Sequence, residues 1–440
     1  MLNEKKNDKL YLKINPDDID SKALFIIRKL NDFGFEAFLV GGCIRDLILR
    51  KNINDWDITT QAPVEEIIKS FNDFKIVTVG KKHGTILLVS NRIQYQVSTF
   101  KSIIGIQPNL QSDLRCRDFT INSMAWNEKN GLVDLSNGVM NIREGIIRFT
   151  ENSQDRIRED PLRMLRAIRL ACELDFKIEK GALEEIYDHG ELLQKVSIER
   201  IRDEFVKILL SNYPKEGFQI LLQLGLLKYF LPELESAVGF YFEDKSGMKN
   251  LFNYILDMLE NLPSDLTLCL SILLYDMEKS PVNYSKKETV NKTLRRLKFK
   301  NSLIKKINIL ILEDWQKADF SSRKNIRQLI SRLGEENILN ILEFKKADFR
   351  TRNNINKFNQ VKKIEKEIKE VLQERPPLSL KDLAINGKDL IDLGYQEGKV
   401  IGEILKKLLN TVIDKPELNR KEFFYSKLRK SKKLRNKSEK

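Results

Sequence analysis

The spacing of apolar positions along the chain changes near Arg156. Before it, one helical stretch is predicted from about Asp17 to Phe33, where Ala23, Leu24, Ile27 and Leu30 keep helical spacing after an Asp-rich start suited to capping. β-like runs follow at Ala37–Val40, Trp56–Thr59, Phe74–Val79, Thr85–Ser90 and Ile93–Phe100. The last two flank Asn91-Arg92, which predicts a hairpin. From Arg156 onward the pattern is almost wholly helical, with one stripe at Leu162, Leu165 and Ile168 and another at Ile201, Phe205, Ile208 and Leu209. Pro214, Pro232 and Pro263 punctuate successive helices. A final segment opens at Arg375-Pro376-Pro377 and runs to a basic end, Lys427–Lys440; few apolar residues follow Tyr425, which predicts a disordered tail. No repeat of fixed period is present.

Composition narrows the class. At 440 residues the chain exceeds what one core supports, so two to four units are expected. A net charge of +14 favours a polyanionic partner, nucleic acid before membrane. Cys43, Cys116, Cys172 and Cys269 are widely spaced without a C-x-x-C, which argues against a disulfide framework or thiolate zinc site and for a reducing compartment. His83 and His189 are the only histidines, too few for a histidine-rich metal site. With no apolar leader core and no long apolar run, a cytoplasmic protein with no membrane partner is expected.

The first chemical constellation is Gly41-Gly42-Cys43-Ile44-Arg45-Asp46 followed by Asp55-Trp56-Asp57. On a strand, alternate side chains share a face, so Asp55 and Asp57 project together. Two such carboxylates can hold Mg²⁺ and leave positions open for phosphates. Paired metals activate an attacking hydroxyl and neutralise a leaving pyrophosphate. The double glycine permits close backbone approach to a triphosphate, and Arg45 can neutralise its charge. Either half alone is commonplace: a turn, or a solvated strand edge. Together, in this order, they resemble the polymerase-β-like nucleotidyltransferase superfamily.

Two longer motifs sharpen the resemblance. One is Asp113-Leu114-Arg115-Cys116-Arg117-Asp118-Phe119-Thr120-Ile121-Asn122; the other runs from Arg158-Glu159-Asp160-Pro161-Leu162-Arg163 to Arg166 and Arg169. With Val196–Ile201 and Ala384–Leu390, they closely resemble the class II tRNA nucleotidyltransferase and bacterial poly(A) polymerase family over nearly the whole chain. Read physically, Asp160, Arg163, Arg166 and Arg169 recur every three residues and would form one polar stripe on a helix.

The resemblance implies an α+β protein with a polymerase-β-like head and small mixed sheet, then an all-helical neck, body and tail. The implied divisions are 1–150 (head), 151–213 (neck), 214–374 (body) and 375–440 (tail). It implies that Asp55 and Asp57 are catalytic metal ligands for Mg²⁺. Asp160 and Arg163, with Glu159 beside them, would read the Watson–Crick edge of CTP or ATP. Arg117 and Asp118 would meet triphosphate and ribose, Asn122 would support them, and Gly42, Arg45, Arg166 and Arg169 would complete the phosphate contacts. The partners implied are the acceptor and T arms of tRNA, recognised by shape and phosphate charge; the oligomeric state stays open.

Four departures stand out. Cys116 replaces an arginine of the family pattern, and Gln96 stands where relatives commonly carry Glu. Ser102–Ser112 is only eleven residues, where enzymes that add all of CCA carry a longer loop. A short link cannot easily drive a lever motion, so addition of two cytidines only is favoured over complete CCA addition. Leu273–Lys279 resembles a phosphohydrolase-like region, but Tyr275 stands where its metal-binding histidine would be. Poly(A) polymerase shares the catalytic motifs and remains a rival; a non-catalytic RNA-binding protein is disfavoured by the intact Asp55, Asp57, Asp160 and Arg163.

Overall fold

A computed structural model describes residues 14–53, 55–71, 73–78, 84–91, 93–101, 107–244, 247–275, 285–313 and 319–438. The chain divides into two compact units, Met1–Phe230 and Leu231–Lys440. The first is α+β and the second nearly all helical.

In the first unit, seven strands among the described residues form one mixed sheet: β1 (Ala37–Val40), β2 (Trp56–Thr60), β3 (Lys75–Val77), β4 (Thr85–Ser90), β5 (Ile93–Thr99), β6 (Met124–Asn127) and β7 (Gly131–Asp134). Their order is β3-β4-β5-β2-β1-β6-β7, antiparallel throughout except β2 beside β5. β1 lies between β2 and β6, and all four of its residues are buried, as expected for an interior strand. The β4–β5 hairpin forms as expected, although Arg92 of its turn lies outside the described residues. The predicted Phe74–Val79 strand is shorter, with Val79 also outside. β6 and β7 were not anticipated.

Helices α1 (Ser21–Asp32), α2 (Gly42–Ile48), α3 (Val64–Ser70), α4 (Leu110–Arg115) and α5 (Gly138–Glu144) accompany the sheet. The Asp-rich start resolves into a short 3₁₀ turn, Pro16–Asp18, and then α1, whose N-cap Asp20 accepts from the amides of Lys22 and Ala23. Asp20 also accepts from the Tyr95 hydroxyl at 2.8 Å, pinning α1 to β5. The Gly41-Gly42 turn is followed at once by α2. Phe38 and Val40 of β1 pack with Phe100, Leu114 and Ala125, which seats α4 against the sheet.

Beyond the sheet come α6 (Ser153–Glu159), α7 (Arg163–Leu174), α8 (Lys180–Asp188), α9 (Ile198–Leu209), α10 (Pro214–Gln223) and α11 (Leu227–Phe230). A small parallel pair, β8 (Ile146–Ile147) with β9 (Lys177–Ile178), joins the end of α5 to the end of α7. The expected stripes are core: Leu162, Leu165, Ile168, Ile201, Phe205, Ile208 and Leu209 are all buried. The expectation of one continuous helix through Asp160 is corrected. Pro161 disfavours helical geometry in the residue before it, and Asp160 is extended (φ −147°, ψ 98°), separating α6 from α7.

The second unit departs from an all-helical reading at one hairpin, β10 (Tyr241–Asp244) with β11 (Gly247–Asn250). One of its clusters gathers Ile326, Ile330, Ile338, Leu342, Val361 and Ile368. Another gathers Leu390, Leu408, Val412, Phe424 and Leu428. Phe424 and Leu428 belong to a helix spanning Lys421–Ser438, so the expectation of a disordered tail is corrected: these two apolar residues anchor its first turns. Of the phosphohydrolase-like stretch, Leu273–Tyr275 ends a buried helix and the rest lies outside the described residues. No helix among the described residues is long and apolar enough to cross a membrane.

Candidate active site

Asp57 sits on β2 between buried Trp56 and Ile58, while Asp55 lies exposed one residue before the strand. Burial pushes the Asp57 carboxyl above the usual carboxylate range, and the Asp55 charge pushes it further; Arg117, Arg166 and Arg45 pull it back. Gly41 borders this corner at φ +80°, ψ −139°, a conformation open essentially to glycine. A Cβ there would stand 2.8 Å from Arg117 Nη1 and 3.2 Å from Asp57 Oδ2. Arg117 is anchored by Asp113 at 3.2 Å, itself buried. Gln96 of β5 stands in register with Asp57 and lines the same cavity.

A relay of side chains lies behind Arg117. Asp118 is buried and paired through both Nε and Nη2 of Arg166. Burial opposes its charge, but Arg166, Asn122 and the Phe119 amide outweigh it and hold the carboxyl below the usual range. Asn122 donates to Asp118 at 3.2 Å and accepts from Arg45 Nη1 at 2.7 Å. Arg45 also grips Asp46 with Nε and Nη2, both at 2.9 Å.

At the break between α6 and α7, Arg163 Nη1 binds Glu159 at 2.5 Å and the Arg156 carbonyl at 3.1 Å, while its Nη2 reaches the Cys116 carbonyl at 3.4 Å. Asp160 Oδ1 accepts from the Leu162 amide at 3.3 Å, and its Oδ2 accepts from Arg200 of α9 at 2.8 Å. Arg169 turns the other way, to Glu204 at 2.6 Å and Glu173 at 2.8 Å.

These groups surround a cavity of about 350 Å³. Of the residues singled out in the sequence, Asp57, Gln96, Cys116, Arg117, Asp118, Asp160, Arg163 and Arg166 line it. Asp55, Gly42, Arg45, Asn122, Glu159 and Arg169 do not; Arg45, Asn122 and Glu159 instead brace lining residues or their neighbours. Thr85, Ser98 and Lys101 line it unanticipated, while Asp113 and Arg200, which also line it, lay in motifs read from the sequence but were assigned no role. For Arg200 the signal was its place in the Val196–Ile201 motif, though nothing in the sequence names its partner.

Comparisons with known proteins identify relatives of the whole chain. Residues 37–148 match the model of the Poly A polymerase head domain, and residues 272–428 that of tRNA nucleotidyltransferase domain 2. A CCA-adding enzyme of Ligilactobacillus salivarius is 33% identical over 428 residues, covering 94% of this chain and 97% of that relative. One from Enterococcus faecalis is 31% identical over 438 residues, covering 95% and 97%. The crystal structure of Bacillus stearothermophilus CCA-adding enzyme in complex with CTP is similar with a TM-score of 0.70 at 27% identity, covering 94% of this chain and 98% of that one. At 33% identity over 94% of its length and 97% of that relative, with Asp57, Asp118, Asp160 and Arg163 lining one cavity, the chain belongs to the CCA-adding family of nucleotidyltransferases.

Proposed function

We propose that this enzyme adds nucleotides without a template to the 3′ end of tRNA in building its CCA terminus, and that it stops after two cytidines. The observation that carries the first part is the convergence of Asp57, Asp118, Asp160, Arg163 and Arg166 on one cavity. In this reading Asp160 and Arg163 offer an acceptor and a donor to the base edge of CTP. Arg117 and Arg166 face the triphosphate, and Asp118 meets the ribose. Arg169 is reassigned from phosphate contact to a tie between α7 and α9, since its guanidinium is taken up by Glu204 and Glu173. The parts at 1–150, 151–213, 214–374 and 375–440 serve as head, neck, body and tail, the last two meeting the acceptor and T arms of cytoplasmic tRNA.

The donor set fits magnesium. Among the described residues no cluster of three or more His, Cys, Asp or Glu could hold a metal by itself, and Asp55 with Asp57 supply two carboxylates. Mg²⁺ takes one or two protein carboxylates and completes its shell with phosphates and water. Bound there, it would ease the repulsion at Asp57, acidify the attacking 3′-hydroxyl and neutralise the departing pyrophosphate. The protein's part is to hold the hydroxyl in line with the α-phosphate and to orient the base.

The short Ser102–Ser112 segment supports stopping at two cytidines. Its flanks are clipped together: the Lys101 amide donates to Asp113 at 3.0 Å, and the Ser112 hydroxyl donates to the Lys101 carbonyl at 2.7 Å. Ser102–Ile106 lie outside the described residues. Complete CCA addition is the second reading, favoured by the names of the relatives matched over nearly their full length. The test is to incubate the protein with tRNA lacking CCA, with CTP and ATP separately and together, and to size the products. Arrest at two cytidines with both nucleotides present is expected. A terminal adenosine selects the second reading, and long adenosine tails select a poly(A) polymerase.

A further inference from the structure

Lys101 lines the cavity two residues after the end of β5. Its backbone is clamped twice: the amide donates to Asp113 Oδ1 at 3.0 Å, and the carbonyl accepts from the Ser112 hydroxyl at 2.7 Å. Those clamps fix where the side chain starts without engaging its ammonium. Among the described residues, that ammonium has neither an ion pair nor a hydrogen bond. The other cations of the cavity are engaged. Arg117 is held by Asp113, Arg166 by Asp118, Arg200 by Asp160 and Arg163 by Glu159. This pairing takes every charged lining residue except Asp57 and Lys101. Asp57 is a metal ligand in the reading above, which leaves Lys101 as the cation that no carboxylate among the described residues binds.

The surroundings of Lys101 suit an anion. Thr85 of β4 stands in register with Ser98 of β5, and both line the cavity with Gln96. Hydroxyls and an amide offer donors without adding negative charge. The Lys101 charge also acts inside the cavity. At Cys116, burial, Asp113 and Glu159 raise the thiol, while Arg156 and Lys101 pull it back. Cys116 stands where the family pattern has an arginine, so Lys101 brings a cation to a corner that has otherwise lost one. A lysine ammonium is a compact point charge that meets phosphate without the fixed geometry of a guanidinium.

The geometry points to Lys101 as a phosphate-binding residue of this cavity, taking a phosphate of either the CTP triphosphate or the 3′-terminal nucleotide of tRNA. The inference rests on the reading above that nucleotide is added in this cavity, and the experiment separates the two. Kd and KM for CTP and for tRNA lacking CCA, and the CTP/UTP preference, are measured for the wild type, Lys101→Ala, Lys101→Arg and Lys180→Ala. Lys180 of α8 has a 91% exposed side chain off the cavity, and its removal controls for the loss of one net charge. Lys101→Ala spares both clamps, which use backbone atoms, so its thermal melt should match the wild type. It is expected to weaken one substrate about tenfold and the other less than about threefold. A loss on CTP assigns the triphosphate. A loss on tRNA, with a log–log salt slope shallower by about 0.7 to 0.9, assigns the 3′ end. Lys101→Arg should restore most of the binding. The CTP/UTP preference should hold within about twofold, because a phosphate contact carries no base information. Wild-type constants in Lys101→Ala, or a loss that Lys180→Ala matches, overturn the inference alone. A changed CTP/UTP preference overturns it too, by placing Lys101 in base choice. A wild-type protein that adds no nucleotide to tRNA overturns the reading of the cavity, and this inference with it.

Discussion

Asp118 shows how one residue couples stability to chemistry. Its carboxyl is buried yet held below the usual range, so ionisation is favoured in the folded chain. The sign follows: this stabilisation is complete above the unfolded value of about 3.9 and is lost as pH falls through the lower folded value. Asp118→Asn should therefore cost about 2 kcal/mol at pH 7, less than for a fully buried pair because the Arg166 side chain is 35% exposed. Denaturant melts should show the gap to wild type narrowing below about pH 4; a constant gap down to pH 3 would contradict the ion-pair origin. Gly41 makes the opposite case, in which function suffers more than folding. Gly41→Ala meets both backbone strain, about 1–3 kcal/mol, and the 2.8 Å approach to Arg117. Incorporation should fall at least about a hundredfold while the variant still folds, a misplacement of about 1 Å being enough. Near-normal kcat/KM would show that Arg117 can move aside at no cost. Asp55→Ala should abolish incorporation with tRNA binding nearly intact, measured by gel shift.

At the scale of elements, the break at Asp160-Pro161-Leu162 and the α7–α9 tie carry the arrangement. The three-residue recurrence of Asp160, Arg163, Arg166 and Arg169 suggests one stripe, but the break turns Asp160 toward Arg200 and the helix phase turns Arg169 toward Glu204. Arg169→Ala leaves Glu204 buried with only Lys207 beside it among its ion pairs at this tie, which should cost about 3 kcal/mol in denaturant unfolding. Because Arg169 lies off the cavity, kcat should stay within about threefold. A fall of about a hundredfold in kcat would put Arg169 on the triphosphate after all. The strands tell a similar story of local against distant causes. β1, β2, β4 and β5 were legible because their β-branched and aromatic runs are bounded by turn residues. β6, at Met124-Ala125-Trp126-Asn127, lacks such a pattern and is held by pairing to both β1 and β7.

For the whole molecule, charge and thiol chemistry are the accessible measures. A net charge of +14 predicts tRNA affinity that falls linearly on a log–log salt plot, with a slope of roughly −0.7 to −0.9 per phosphate contacted. Burial pushes the Cys43, Cys172 and Cys269 thiols up to about 12, whereas Cys116 is partly exposed and raised less. A thiol reagent on the native protein should therefore modify Cys116 first and the other three only on unfolding; prompt labelling of all four would contradict the packing around them. Much of this was determined by the sequence alone. Contiguous motifs carry local chemistry, so the Asp55/Asp57 pair, the Asp113–Asn122 stretch and the Glu159–Arg163 motif could be recognised without coordinates, as could the switch from strand to helix periodicity. Only the tertiary structure decided which of those side chains share a cavity. That question depends on helix phase, on where Pro161 breaks the helix, and on which carboxylate lies opposite each arginine. Arg45 and Arg169 were drawn to Asn122 and Glu204, and Arg200 was brought to Asp160 from forty residues away, because contacts between distant segments leave no periodic trace in the chain.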